Sequence, residues 1–176
     1  MACYNGITCL IELGGKFSRS SRSKTYNSKH LQDALIETLN SEEVQLDYGV
    51  PIIVDVLSLR KFVNSNGYLC FRHDDKELGH FQELESFCRK EKIPYRRWSD
   101  INSEYDQEDV RWLPGMKAPF ECSLDRDGVE IVEVDKVREA FELLKSDIAE
   151  KQMLGMGYLQ KICQKPPEIP KFEFAD

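Results

Sequence analysis

No apolar run in this sequence approaches the roughly 20 residues that a membrane-spanning helix requires, so no membrane partner is expected. The start, MACYNGITCLIELGG, lacks the basic residues and the longer apolar stretch of an export signal, and the cytoplasm is the compartment expected. No two cysteines form a C-x-x-C pair, which removes the commonest zinc and redox patterns. Without an export signal, Cys3, Cys9, Cys70, Cys88, Cys122 and Cys163 are expected to be mostly free, partly buried thiols rather than three bridges. There is also no G-x-S-x-G, no H-E-x-x-H and no Gly-rich dinucleotide fingerprint, and neither a catalytic residue nor a cofactor is assigned.

What the chain does have is a globular balance: 41% hydrophobic, 31% charged and 10% aromatic residues. At 176 residues it can bury about two thirds of its unfolded surface and needs no staples. The net charge of −7 is uneven. Lys16, Arg19, Arg22, Lys24 and Lys29 fall between Gly14 and Gln32 with no acid, leaving 19 bases against 31 acids, a balance of −12, over the rest. Binding of nucleic acid over the whole surface is disfavoured.

The expected organisation is α+β: a single domain over 1–163, with a mixed sheet of about five to six strands packed by about three helices, and an extended Pro-rich tail over 164–176. The apolar stretch 7–13 reads as a strand closed at Gly14 and Gly15, and Leu31, Ala34, Leu35, Thr38 and Leu39 give a helix over 29–40 behind Ser28 as N-cap. GVPIIVDVLSL reads as a central strand, NSNG as a turn, and 56–63 is open between strand and short helix. A strand over 68–72, a helix carrying Leu78, Phe81, Leu84 and Cys88, and a strand over 93–98 permit a parallel crossover. Segments 120–124 and 129–134 form a hairpin across DRDG, and Asp135 caps a last long helix that Gly155 or Gly157 ends.

In YLCFRHDDKELGHF, a metal reading takes Cys70, His73, His80 and Cys88 as ligands, but the spacings match no standard site. The preferred reading is a helix start, with Asp74 as N-cap and Glu77 completing a capping box, and no metal is assigned. LGGKFS offers amides and a lysine to an anion, yet Leu10 and Phe17 stand where a P-loop needs glycine and Ser or Thr. The Ser-rich loop 16–29 could contact phosphates through Lys16, Arg19, Arg22, Lys24 and Lys29, the alternative being a solvated loop.

The most unusual stretch is RRWSDINSEYDQEDVRW, where Asp100, Glu104, Asp106, Glu108 and Asp109 follow one another with no base between them. Trp98, Tyr105, Arg111 and Trp112 accompany the acids and are of the types that dominate interface hot spots. These nine residues are the candidate partner surface, against the alternative of a solvated loop whose tryptophans belong to the core. The functional expectation is a non-catalytic acidic interaction protein, a regulator or inhibitor of a nucleic-acid-handling protein of the kind phages and mobile elements encode. Its partner would be a protein with a basic surface, met by nucleic-acid mimicry. The alternatives are a metal-dependent hydrolase or nuclease using Asp55 with Asp74 or Asp75, and a nucleic-acid-contacting module using the loop 16–29.

Overall fold

Alternation along ITCLIEL decides the centre of the molecule: Ile7, Cys9, Ile11 and Leu13 are buried while Thr8, Leu10 and Glu12 are half-buried. This is β1 (Ile7–Leu13) in a computed structural model that describes residues 7–17, 28–45, 53–55, 57–76, 79–100 and 106–174. The other strands are β2 (Gly15–Phe17), β3 (Leu69–Lys76), β4 (Tyr95–Ser99), β5 (Gln107–Trp112), β6 (Phe120–Leu124), β7 (Glu130–Ile131) and β8 (Phe172–Phe174). Four helices accompany them among the described residues: α1 (Ser28–Ser41), α2 (Gln82–Glu91), α3 (Val134–Leu144) and α4 (Ala149–Ile162). The fold is α+β, as expected, with one helix more than anticipated.

Six strands form one sheet in the order β3-β1-β4-β5-β6-β7, with every neighbouring pair antiparallel. Because β1 opposes both β3 and β4, those two run parallel with β1 between them, so the crossover through α2 is a split one. The sole parallel neighbours among the described strands are β2 and β8. α1 and α2 cover one face, where Leu35, Leu39, Leu84 and Cys88 meet Ile11, Leu13, Phe71, Tyr95 and Trp112 in a single core. The other face carries Leu10, Glu12, Cys70, Arg72, Arg96, Trp98, Asp109 and Arg111, which strand alternation turns away from the helices.

Four local expectations are corrected. The described part of GVPIIVDVLSL is not a strand: Val54 and Leu59 are buried, and Ile53 and Leu57 are exposed. The Asn40 side chain takes the place of a strand neighbour, its Oδ1 accepting from the Val54 amide at 2.7 Å and its Nδ2 donating to the Val54 carbonyl at 3.1 Å. The rest of that run, 49–52 and 56, lies outside the described residues, and Leu59–Phe62 is a 3-10 turn that buries Leu59 and Phe62.

Asp74 does not cap α2. It lies within β3, where Thr8 Oγ1 and Arg72 Nε both donate to its carboxylate, and Phe81 occupies the N-cap position without a side-chain bond. Glu77 and Leu78 lie outside the described residues. The segment 129–134 contributes only Glu130–Ile131 as strand. Finally, the long last helix is two: α3 starts behind Glu133, Asp135 pairs with Arg138 instead of capping, and the chain turns back over 145–148.

Gly155 and Gly157 lie inside α4 rather than ending it. At Gly155 a Cβ would come 2.7 Å from the Ala140 carbonyl oxygen, so its missing side chain is what lets α4 approach α3. The Pro-rich tail is docked. Ile169 and Phe172 are buried, the Gly15 amide donates to the Pro170 and Lys171 carbonyls, and the Phe172 amide donates to Gly67.

Candidate functional site

Strand register splits the acidic segment into parts with different fates. On β5, Gln107, Asp109 and Arg111 point to the open face, while Glu108, Val110 and Trp112 point to the helices. Asp109 is therefore buried rather than displayed. It accepts from Arg96 Nε and Nη2 at 3.0 and 2.9 Å and from Arg111 Nη2 at 2.7 Å. Burial alone would raise its carboxyl, but the hydrogen bonds from Arg111 and Arg96 outweigh that and hold it below its ordinary value. Arg111 is in turn raised by Asp109 and also donates to the Pro167 carbonyl at 3.2 Å, tying the tail to this face.

Glu108 is taken up on the other face. Arg97, itself 2% exposed, donates to Glu108 Oε2 at 3.0 Å and to the Gly79 carbonyl at 2.9 Å. Arg97 Nε also lies 3.0 Å from Glu85 Oε1, an ion pair whose N–H points off the hydrogen-bond line. Glu85 further accepts from the Tyr95 hydroxyl, and Arg89 donates to that hydroxyl. Desolvation by burial, then the charge of Glu85, pushes the Tyr95 phenol well above its ordinary value.

The aromatic pair separates as well. Trp112 is core: it stacks on its cross-strand partner Tyr95 at 6.2 Å between centroids and donates Nε1 to the Met116 carbonyl. Trp98 is half-buried on the open face, where with Leu10, Glu12 and Arg96 it lines a recess of about 120 Å³. With the Gln107 carboxamide turned to satisfy both neighbours, Trp98 Nε1 donates to it at 3.0 Å and Gln107 donates to the Asp125 carbonyl. A wider hollow of about 490 Å³ lies beside Arg111, between Glu130 and the segment from Ile162 to Glu168. Glu104 and Tyr105 lie outside the described residues.

What survives as displayed acid is gathered by topology. β3, β4 and β6 end, and β5 and β7 begin, at the same edge of the sheet. That edge holds Asp74, Asp100 and Asp125, half-buried, and Asp106, Asp127 and Glu130, exposed, with Lys76 and Arg126 among them. The sequence reading missed Asp74, Asp125, Asp127 and Glu130 as members of this group, because nothing local links them.

The basic candidates are dispersed. Lys16 is on β2 and pairs with Glu173 at 2.9 Å, which raises its amine; Lys29 is in the first turn of α1; Arg19, Arg22 and Lys24 lie outside the described residues. Asp55 accepts from the Ser58 amide at 2.6 Å in the turn before Leu59, a bond that lowers its carboxyl, while Asp74 serves β3. The side chain of Asp75 lies outside the description. Cys70 and His73 sit on opposite faces of β3, and Cys88 is in the core. Among the described residues no group of three or more His, Cys, Asp or Glu is placed to hold a metal ion. No family model matches this chain, and no curated protein and no solved structure matches it.

Proposed function

We propose that the protein is a non-catalytic interaction protein that binds the basic surface of a nucleic-acid-handling protein, using its acidic sheet edge where the partner would hold phosphates. The observation that carries this reading is the convergence of acids from separate connections, Asp100, Asp106, Asp127 and Glu130, on one edge, where Asp74 is already paired with Arg72. Carboxylates spread along such an edge suit a cationic groove, and their effect is long-ranged and salt-dependent. In this reading the binding residues are Asp100, Asp106 and the acids that join them, while Glu104 and Tyr105 lie outside the described residues. Asp109, Arg111 and Trp112 support the fold beneath.

The test is capture of partners from a nuclease-treated host lysate by the wild type and by a triple variant, Asp106→Lys, Asp127→Lys and Glu130→Lys. Those three side chains are exposed. The wild type should retain basic proteins that added double-stranded DNA and rising salt both displace, and the variant should lose them. Equal retention by the variant, or partners indifferent to DNA, would defeat the proposal.

A further inference from the structure

Ten of the thirteen exposed large hydrophobic side chains among the described residues lie between Val129 and Tyr158. α3 and α4 pack on each other, burying Ala140 against Gly155, and make no more than marginal contact with the main sheet, α1 or α2. On α3, Val134, Val137 and Phe141 recur at i, i+3 and i+7; on α4, Ala149, Met153 and Met156 recur at i, i+4 and i+7. A helical wheel of each, oriented by the buried Ala140 and Gly155, puts both stripes on the same side of the hairpin. Phe141 is 52% exposed, Met153 76% and Met156 49%.

We infer that this face is where two copies of the chain associate, hairpin on hairpin, as a four-helix bundle about a two-fold axis. Three observations select a second copy as the occupant. On the face itself Val134, Phe141, Met153 and Met156 leave on the order of 400 Å² of apolar surface uncovered, about half of one partner's share of a standard interface, the polar rim supplying the rest. Residues 134–162 hold five acids and five bases, so within a chain of net charge −7 the hairpin is the neutral part, where two copies approach without repulsion. α3 also settles most of its charges internally, through Asp135 with Arg138 and Glu142 with Lys145, which leaves an apolar stripe that matches itself.

Sedimentation of the full chain across about 1–100 µM is the experiment, with wild type, Phe141→Glu, Met153→Glu and, on the opposite side of α4, Leu154→Glu; the range brackets ordinary dimer affinities. The wild type should show twice the 20.4 kDa chain mass. Phe141→Glu and Met153→Glu should raise the dissociation constant by about 30-fold or more with unchanged circular dichroism, and Leu154→Glu should stay dimeric. A wild type that stays monomeric throughout, or a dimer that survives both face variants, overturns the inference. The acidic-edge triple variant should remain dimeric, so loss of partner capture and loss of dimer report separately.

Discussion

The Glu42 carboxylate lies at the N-terminus of α2, its Oε1 2.7 Å from the Glu83 amide nitrogen. The Leu84 amide donates to the same oxygen at 3.0 Å, so a residue from the end of α1, forty-one positions before Glu83, does the work of an N-cap. Glu42 is buried, and the Phe81 cap position supplies no side-chain bond of its own. Glu42→Ala should therefore cost about 1–2 kcal/mol in urea unfolding, near the upper end for a lost cap. Glu42→Gln keeps an acceptor oxygen and should cost less. Asp74→Ala, by contrast, should loosen β3 and leave the helicity of α2 intact.

Gly14 is closed to any side chain, since a Cβ there would stand 2.0 Å from the Pro170 carbonyl oxygen. Gly14→Ala should therefore push the tail from the body and expose Phe172, a member of the core. A chain truncated after Cys163 loses the same contacts. The truncation also removes the Arg111–Pro167 hydrogen bond and should cost the more, and the double change should cost little more than the truncation alone, because the contacts at Gly14 are already gone. Full additivity of the two unfolding free energies would show that Gly14 matters for another reason.

How far the sequence discloses this molecule depends on whether the deciding partner is local. Period-2 alternation in ITCLIEL, the 3.6-residue stripe through Leu35 and Leu39, and the DRDG turn, with Asp125 Oδ1 accepting from Asp127 and Val129, were all legible because their causes lie within a few residues. Val54 was not, because an apolar run looks the same whether a strand or the Asn40 carboxamide satisfies its backbone. The burial of Asp109 left a partial signal: Asp109 and Arg111 are two apart on a strand and so share a face. That Arg96 lies across from Arg111 required the sheet. The acidic edge is the purest case, since only the order of strands brings Asp127 to the side of Asp100.

The thiols should react in an order set by burial. Desolvation, then the charge of Glu12, raises Cys70 to about 11, and desolvation, then Asp109 and Glu130, raises Cys122 to about 11. Cys9 and Cys88 are fully buried in the core, and Cys163, after α4, is exposed. Iodoacetamide at pH 8, followed by peptide mapping, should modify Cys163 first among these five, Cys70 and Cys122 slowly, and Cys9 and Cys88 only after denaturation. Early labelling of Cys88 would contradict its place against α1 and the sheet.

Stability should depend on acid through Asp109, and the sign follows from its depressed carboxyl. A group whose folded pKa lies below its unfolded value adds stability that is fully present above the unfolded value, near 4. That contribution disappears as pH falls through the folded value, once both states are protonated. Asp109→Asn removes the charge but keeps the volume, leaving Arg96 and Arg111 facing each other on adjacent strands. Breaking a fully buried pair costs about 3–5 kcal/mol; with the Arg96 side chain 36% exposed, about 1–3 kcal/mol is expected here. The difference between wild type and variant in urea unfolding should thus be largest from pH 6 to 8 and shrink steadily below pH 4. Arg111→Met should reproduce part of the loss and also release the Pro167 carbonyl, so the tail should become more susceptible to proteolysis in that variant than in Asp109→Asn. A gap between wild type and Asp109→Asn that stays constant down to pH 2 would mean that packing, not charge, makes Asp109 matter.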